Sequence, residues 1–120
     1  VGSEMCIRDR PYPVQEAMRV ALGDTAHVTA QKNLYRQRRE ALKPAVEAFG
    51  LTIEHSEAGL YLWATAGEDT WDTVERFARL GIVVGPGTFY GDAGHGYVRL
   101  SLTASDERMA AAVQRLSGAV

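Results

Sequence analysis

Val14, Ala17, Met18, Ala21 and Leu22 recur at the spacing of one helix face before Gly23-Asp24 interrupts the pattern. A short helix behind Pro11 and Pro13 is predicted. After Thr25 the stripe resumes with Val28, Leu34, Tyr35, Ala41, Leu42, Ala45, Val46 and Phe49, while Gln31, Arg36, Arg38, Arg39 and Glu40 fall mostly elsewhere. One long helix to about Phe49 follows. Pro44 should bend or break it, because proline lacks the amide donor and clashes with the preceding turn. Gly50 then supplies a left-handed stop.

Downstream the period changes. Leu51 to His55 and Leu60 to Ala64 are short strand-compatible runs joined by Ser56-Glu57-Ala58-Gly59, which suits an antiparallel hairpin. Trp71, Val74, Phe77, Ala78 and Leu80 return to helical spacing, with Asp69 or Thr70 as N-cap and Gly81 as the stop. Ile82 to Val84 reads as a strand that ends in Gly85-Pro86-Gly87. Tyr97 to Leu102 reads as another, in which Val98, Leu100 and Leu102 face a core and Tyr97, Arg99 and Ser101 face away. Thr103-Ala104-Ser105-Asp106 has the form of a capping box before a last helix that carries Met109, Ala112, Val113 and Leu116 and ends near Gly118. The order ααββαββα, with a sheet too small to be doubly wound, predicts an α+β fold: a small, mostly antiparallel sheet covered by helices on one face.

Length allows one domain: 120 residues and 13.1 kDa. Apolar residues at 46% and charged residues at 23% are ordinary globular usage and exclude a disordered or fibrous chain. A net charge of -2 gives no basic field for nucleic acid. The longest apolar run, near residues 81–84, falls far short of the roughly 20 residues of a membrane span. Residues 1–10 show no periodicity and lack the apolar centre of a secretory signal. Met5 to Arg10 resembles the translation of a sequencing adapter, so residues 1–10 are set aside as non-native. Cys6, the single cysteine, goes with them, leaving no disulfide or Cys-based metal site and fitting a reducing cytoplasm.

Arg99 is the sharpest candidate for chemistry. It sits mid-strand on the polar side of an alternating segment, and its planar guanidinium suits bidentate carboxylate recognition. Alternation alone equally describes a solvated arginine on an open sheet face. The loop Gly85 to Gly96, with its many glycines, would let backbone approach a ligand, yet it lacks the phosphate-binding patterns and has the composition of a flexible crossover. His27, His55 and His95 are too scattered for a zinc site. The acids Glu54, Glu57, Glu68, Asp69, Asp72, Asp106 and Glu107 precede or begin helices, where capping explains them. Tyr61, Trp63, Trp71, Phe77 and Phe89 fit core faces better than a ligand cage.

The run Gly81 to Leu102, GIVVGPGTFYGDAGHGYVRLSL, resembles the C-terminal signature of the class I/II aminotransferases of fold type I. That signature reads roughly G-[IV]-x-V-x-P-G-x-x-F-G, then G-x-x-[FY]-[IV]-R-[LIV]. YRQRREALKPAVEAFG leading into GLYLWA is similar to the same family's helix and hairpin, so the likeness spans about Pro13 to Leu116. Within the family, HSEAGLYLWAT, GEDTWDTV and VGPGTFYGDAGHGYVRLSLTASDER look most like the bacterial N-succinyldiaminopimelate aminotransferases of lysine biosynthesis.

The resemblance implies the C-terminal small domain of such an enzyme at residues 25–120, with residues 11–24 a remnant of the large domain or linker helix. It implies that Arg99 forms paired hydrogen bonds to the substrate α-carboxylate, with glutamate and 2-oxoglutarate as one substrate pair and N-succinyl-diaminopimelate as the other partner. It also implies a cytoplasmic homodimer using pyridoxal 5'-phosphate, whose Schiff-base lysine lies upstream in the large domain. Lys32 and Lys43, the only lysines here, lack the family's S-x-x-K context, so this segment alone should be inactive. Phe89-Tyr90-Gly91 stands where the signature has F-G, which leaves the ring that meets ligand open. The competing readings are a stand-alone α+β interaction module and a class I/II aminotransferase for a different amino acid. Loss of the large domain should expose apolar surface on the first two helices.

Overall fold

The computed structural model describes residues 10–119. The reading of the first ten residues as non-native therefore lies, for 1–9, outside the described residues. The chain divides into two compact units between Asn33 and Leu34.

The first unit holds helix α1, Tyr12–Gly23, entered through Pro11 and Pro13, where a missing amide donor costs nothing. None of its residues is buried. Tyr12, Val14, Met18, Val20 and Leu22 are all exposed, as is Val28 on the next helix, which is the exposed apolar surface expected of these segments.

Helix α2, Ala26–Ala48, contributes residues to both units. Pro44 does not break it. The residues flanking the proline, Leu42, Ala45 and Val46, are all buried, so packing on both sides holds the helix through the lost hydrogen bond. The helix ends in a Schellman turn: Gly50 takes φ +97° and the Leu51 amide donates to the Val46 carbonyl at 3.2 Å.

The second unit is built on a three-stranded antiparallel sheet of order β1-β3-β2, with β1 at Tyr61–Thr65, β2 at Gly85–Pro86 and β3 at Tyr97–Ser101. Helix α3 is Thr70–Arg79 and helix α4 is Asp106–Ser117. Leu62 and Ala64 of β1 and Val98 and Leu100 of β3 turn to the core, where they join Leu42 and Val46 of α2, Phe77 of α3, and Met109 and Leu116 of α4. The α+β expectation holds.

Several local expectations do not. The segment Leu51 to His55 is no strand; its pairing shrinks to one bridge, Thr52 with Thr65, although Leu51 and Ile53 are buried as the alternation required. Ile82 to Val84 alternates in burial yet lies outside the ladder, which forms one step later at Gly85–Pro86. A ladder is made by backbone groups, so a glycine and a proline can carry it, and proline's missing donor is tolerated because β2 is an edge. Asp69 caps α3 as expected, its Oδ1 accepting from the Trp71 amide at 2.8 Å. Ser105, by contrast, makes no side-chain capping bond to α4. The Asp106 carboxylate is instead taken by Arg38, at 2.6 Å to Nη2.

The glycine-rich loop, given the composition of a flexible crossover, has defined local structure. It folds as two 3₁₀ turns, Gly87–Tyr90 and Asp92–Gly94. The two turns touch backbone to backbone: a Cβ on Gly87 would stand 2.2 Å from the Gly94 carbonyl oxygen, and one on Gly94 would stand 2.0 Å from that of Gly87. Only glycine fits at either position. The loop's exit is tied down at Gly96, whose amide donates to Thr70 Oγ1 at 2.8 Å and whose carbonyl accepts from Thr65 Oγ1 at 2.6 Å. Next to this tie, Glu68 Oε1 accepts from Thr73 Oγ1 at 2.9 Å and from Arg76 Nη1 at 2.7 Å, and Arg76 in turn donates to the Phe49 carbonyl. The Arg76 hydrogen bond, with smaller help from Thr73, holds the Glu68 carboxyl below the usual carboxylate range against the opposing effect of burial.

Two outcomes are expected. Gly94→Ala should destabilise the chain by about 1–3 kcal/mol in urea unfolding, because the clash is with backbone and cannot relax by rotamer change. Gly23→Ala, where a Cβ meets nothing within 4 Å, serves as the neutral control. Because the folded pKa of Glu68 is lowered, its stabilisation is complete above its unfolded value, about 4.3, and drains away as pH falls through the folded value. Glu68→Gln should flatten the acid limb of stability against pH below about 4.3, and an unchanged limb would assign the acid loss to other groups.

Candidate functional site

Strand β3 sends Val98 and Leu100 inward and leaves Tyr97 and Arg99 half-buried on the opposite face. In the ladder Arg99 pairs with Trp63 on one side and Gly85 on the other. Gly85 lies directly against the arginine: a Cβ there would meet Cβ and Nε of Arg99 at 3.6 Å, ordinary van der Waals contact. Tyr61, paired with Ser101, is the diagonal neighbour of Arg99 across the β1–β3 ladder.

That neighbourhood is aromatic. The Arg99 Cζ stands 4.2 Å from the Tyr61 ring centroid and 5.2 Å from that of Tyr90, distances at which a guanidinium is attracted to a ring face. Trp63 stacks on Tyr97 with centroids 5.4 Å apart and planes 12° from parallel, and meets Tyr90 edge-on at 5.6 Å. Together these side chains form an aromatic floor with one cation set into it.

Arg99 differs in one respect from the other partly buried arginines. Arg38 bonds the Asp106 carboxylate and the Leu102 carbonyl, Arg39 the Gly59 carbonyl, and Arg76 the Glu68 carboxylate and the Phe49 carbonyl. The Arg99 guanidinium makes no hydrogen bond or ion pair to a described residue; its Nε is buried without a partner, as is that of Arg39, but Arg39 bonds through Nη2. A desolvated donor left unmatched costs free energy. Tyr61 and Tyr90 remain about half exposed, which keeps the guanidinium reachable.

The expected core role of the aromatic residues fails for all but one. Phe77 is fully buried, but Trp63 is half-buried, and Tyr61, Trp71 and Phe89 are exposed. Tyr61 and Trp63 share the parity that faces away from the core, so the alternation that placed Arg99 could have placed them beside it. Phe89 and Tyr90, whose ligand contacts the displaced glycine register leaves open, take different neighbours within the chain. Tyr90 lies over Arg99, whereas Phe89 packs edge-on against Trp71 at 6.3 Å. Lys32 is exposed on α2, and Lys43 lies 3.9 Å from Glu47 on the same helix.

The family follows from comparison with known proteins. The family model for aminotransferase class I and II matches residues 1–116, and the chain belongs to this family. Over 107 residues it is 55% identical to the 4-dedimethylamino-4-oxo-anhydrotetracycline transaminase OxyQ of Streptomyces rimosus, a match covering 89% of this chain and 30% of that one. Over 108 residues it is 42% identical to the LL-diaminopimelate aminotransferase of Oleidesulfovibrio alaskensis, covering 87% of this chain and 28% of that one. Among solved structures, the probable N-succinyldiaminopimelate aminotransferase from Thermus thermophilus superposes with a TM-score of 0.60 at 28% identity, over 72% of this chain and 24% of that one. The chain thus spans less than a third of the length of these relatives.

Proposed function

We propose that this chain is the small domain, residues 25–120, of a pyridoxal-phosphate-dependent transaminase in which Arg99 binds the α-carboxylate of the amino donor and of the 2-oxo acid acceptor. The observation that carries this reading is the half-buried Arg99 guanidinium, which rests on two tyrosine rings and has no oxygen partner among the described residues. Arginine presents its N–H groups in a planar fork that matches both oxygens of one carboxylate. Strand β3 fixes the Cα of that arginine, and the aromatic floor shields one side of the charge from water, so a carboxylate bound there is both held and oriented.

Pyridoxal phosphate, when bound, supplies the electron sink for amino transfer. Neither lysine of this chain lies in the S-x-x-K context of the family's Schiff-base lysine: Lys32 stands in QKNLYR and Lys43 beside Pro44. The cofactor would therefore be held by residues outside this sequence, and this chain contributes substrate binding alone.

For the substrates, the reading is glutamate with 2-oxoglutarate as one pair and N-succinyl-diaminopimelate as the other partner. The Thermus neighbour and the Oleidesulfovibrio relative both carry diaminopimelate in their names, which supports it. The Streptomyces relative, named for an anhydrotetracycline, defines the alternative within the same family.

In the full-length enzyme that contains this segment, Arg99→Ala should lower kcat/KM for glutamate by about two to three decades, the equivalent of about 2–4 kcal/mol for a charged bidentate contact. Arg99→Lys should recover little, since the point charge cannot reproduce the fork. Unchanged kinetics in Arg99→Ala would remove Arg99 from the site. Turnover of N-succinyl-diaminopimelate by the wild-type enzyme, compared with an anhydrotetracycline ketone, decides the second substrate.

A further inference from the structure

Every other partly buried arginine among the described residues is fixed by an oxygen acceptor, but Arg99 is fixed by rings. A carboxylate partner would orient the guanidinium but would also occupy its fork and cancel its charge, so substrate would have to displace it. A ring face attracts the cation through its quadrupole while accepting none of the in-plane N–H bonds, so it can set the plane of the fork and leave the donors free.

Tyr61 is the nearer of the two rings, at 4.2 Å, and sits on the diagonal of the ladder where the strand backbone fixes its origin. Tyr90, at 5.2 Å, comes from the 3₁₀ turn Gly87–Tyr90, which the Gly87–Gly94 contact holds in place. Trp63 meets Tyr90 edge-on and so limits its movement. The tyrosines thus reach the cation from two separately anchored segments.

We infer that Tyr61, seconded by Tyr90, is the positioning residue that presents the Arg99 fork to a substrate carboxylate, acting through its ring face and not its hydroxyl. The inference rests on the carboxylate-binding reading of Arg99. It predicts that the ring matters and the hydroxyl does not, which separates positioning from a direct hydrogen bond to substrate.

The test is binding of succinate, a plain dicarboxylate, to the full-length holoenzyme by calorimetry, with kinetics for glutamate alongside. Tyr61→Leu should weaken succinate about five- to thirtyfold, the range of a partly desolvated cation–π contact. The KM for glutamate should rise in parallel with little change in kcat, as loss of uniform binding requires. Tyr61→Phe should stay within about twofold of wild type. If Tyr61→Leu does not fold, Tyr90→Leu is read in the same way. Succinate affinity unchanged in the leucine variants, while Arg99→Ala abolishes binding, would overturn the positioning role and leave the Arg99 reading intact. Tyr61→Phe as damaging as Tyr61→Leu would also overturn it, because the hydroxyl would then carry the effect. Succinate binding that survives Arg99→Ala would instead sink the carboxylate reading itself.

Discussion

The antiparallel register between β1 and β3 decides which side chains share a face, and the core and the site both depend on it. Pairing Trp63 with Arg99 and Ala64 with Val98 sends Leu62, Ala64, Val98 and Leu100 to the helices and Tyr61, Trp63, Tyr97 and Arg99 to the other side. A slip of one residue would put the guanidinium in the core and turn two buried aliphatic side chains to the outer face. Burial of Val98 and Leu100 therefore enforces the orientation of Arg99, and the apolar core positions the charge without touching it.

What surrounds that charge follows from the same register. Gly85 across one ladder and an aromatic pair across the other put bare backbone on one flank and a ring face on the other. The loop between β2 and β3 then adds Tyr90, and its geometry is set by two glycines that leave no room for any side chain between them. The ties from Gly96 to Thr65 and Thr70 connect that loop to the end of β1 and the start of α3. This segment thus mounts one cation on an anchored frame.

Much of this is legible in the sequence. The helices, the α+β class and the outward direction of Arg99 all follow from periodicity, because side-chain burial is what periodicity records. The role of Arg99 does not; it enters through the signature around it, since alternation gives an exposed arginine and a functional one the same pattern. The strand at Gly85–Pro86 is hidden because its partners are backbone groups, while the apolar run at Ile82 to Val84 attracts the assignment. Pro44 misleads because local propensity carries no term for the packing of Leu42, Ala45 and Val46. Tyr61 and Trp63 go to the core on residue type, although their parity already places them beside Arg99. The contact of Gly87 with Gly94 has no local signal, because it joins residues seven apart in two different turns.

The central claim is that Arg99 is left without an oxygen partner among the described residues so that substrate can supply one. A crystal structure of the full-length enzyme with bound glutamate or succinate tests it most directly. The account predicts both oxygens of one carboxylate within about 2.7–3.2 Å of the Arg99 guanidinium nitrogens, with the Tyr61 ring still against the cation. A carboxylate bound elsewhere, or an Asp or Glu from the rest of the enzyme already paired with Arg99, would contradict it.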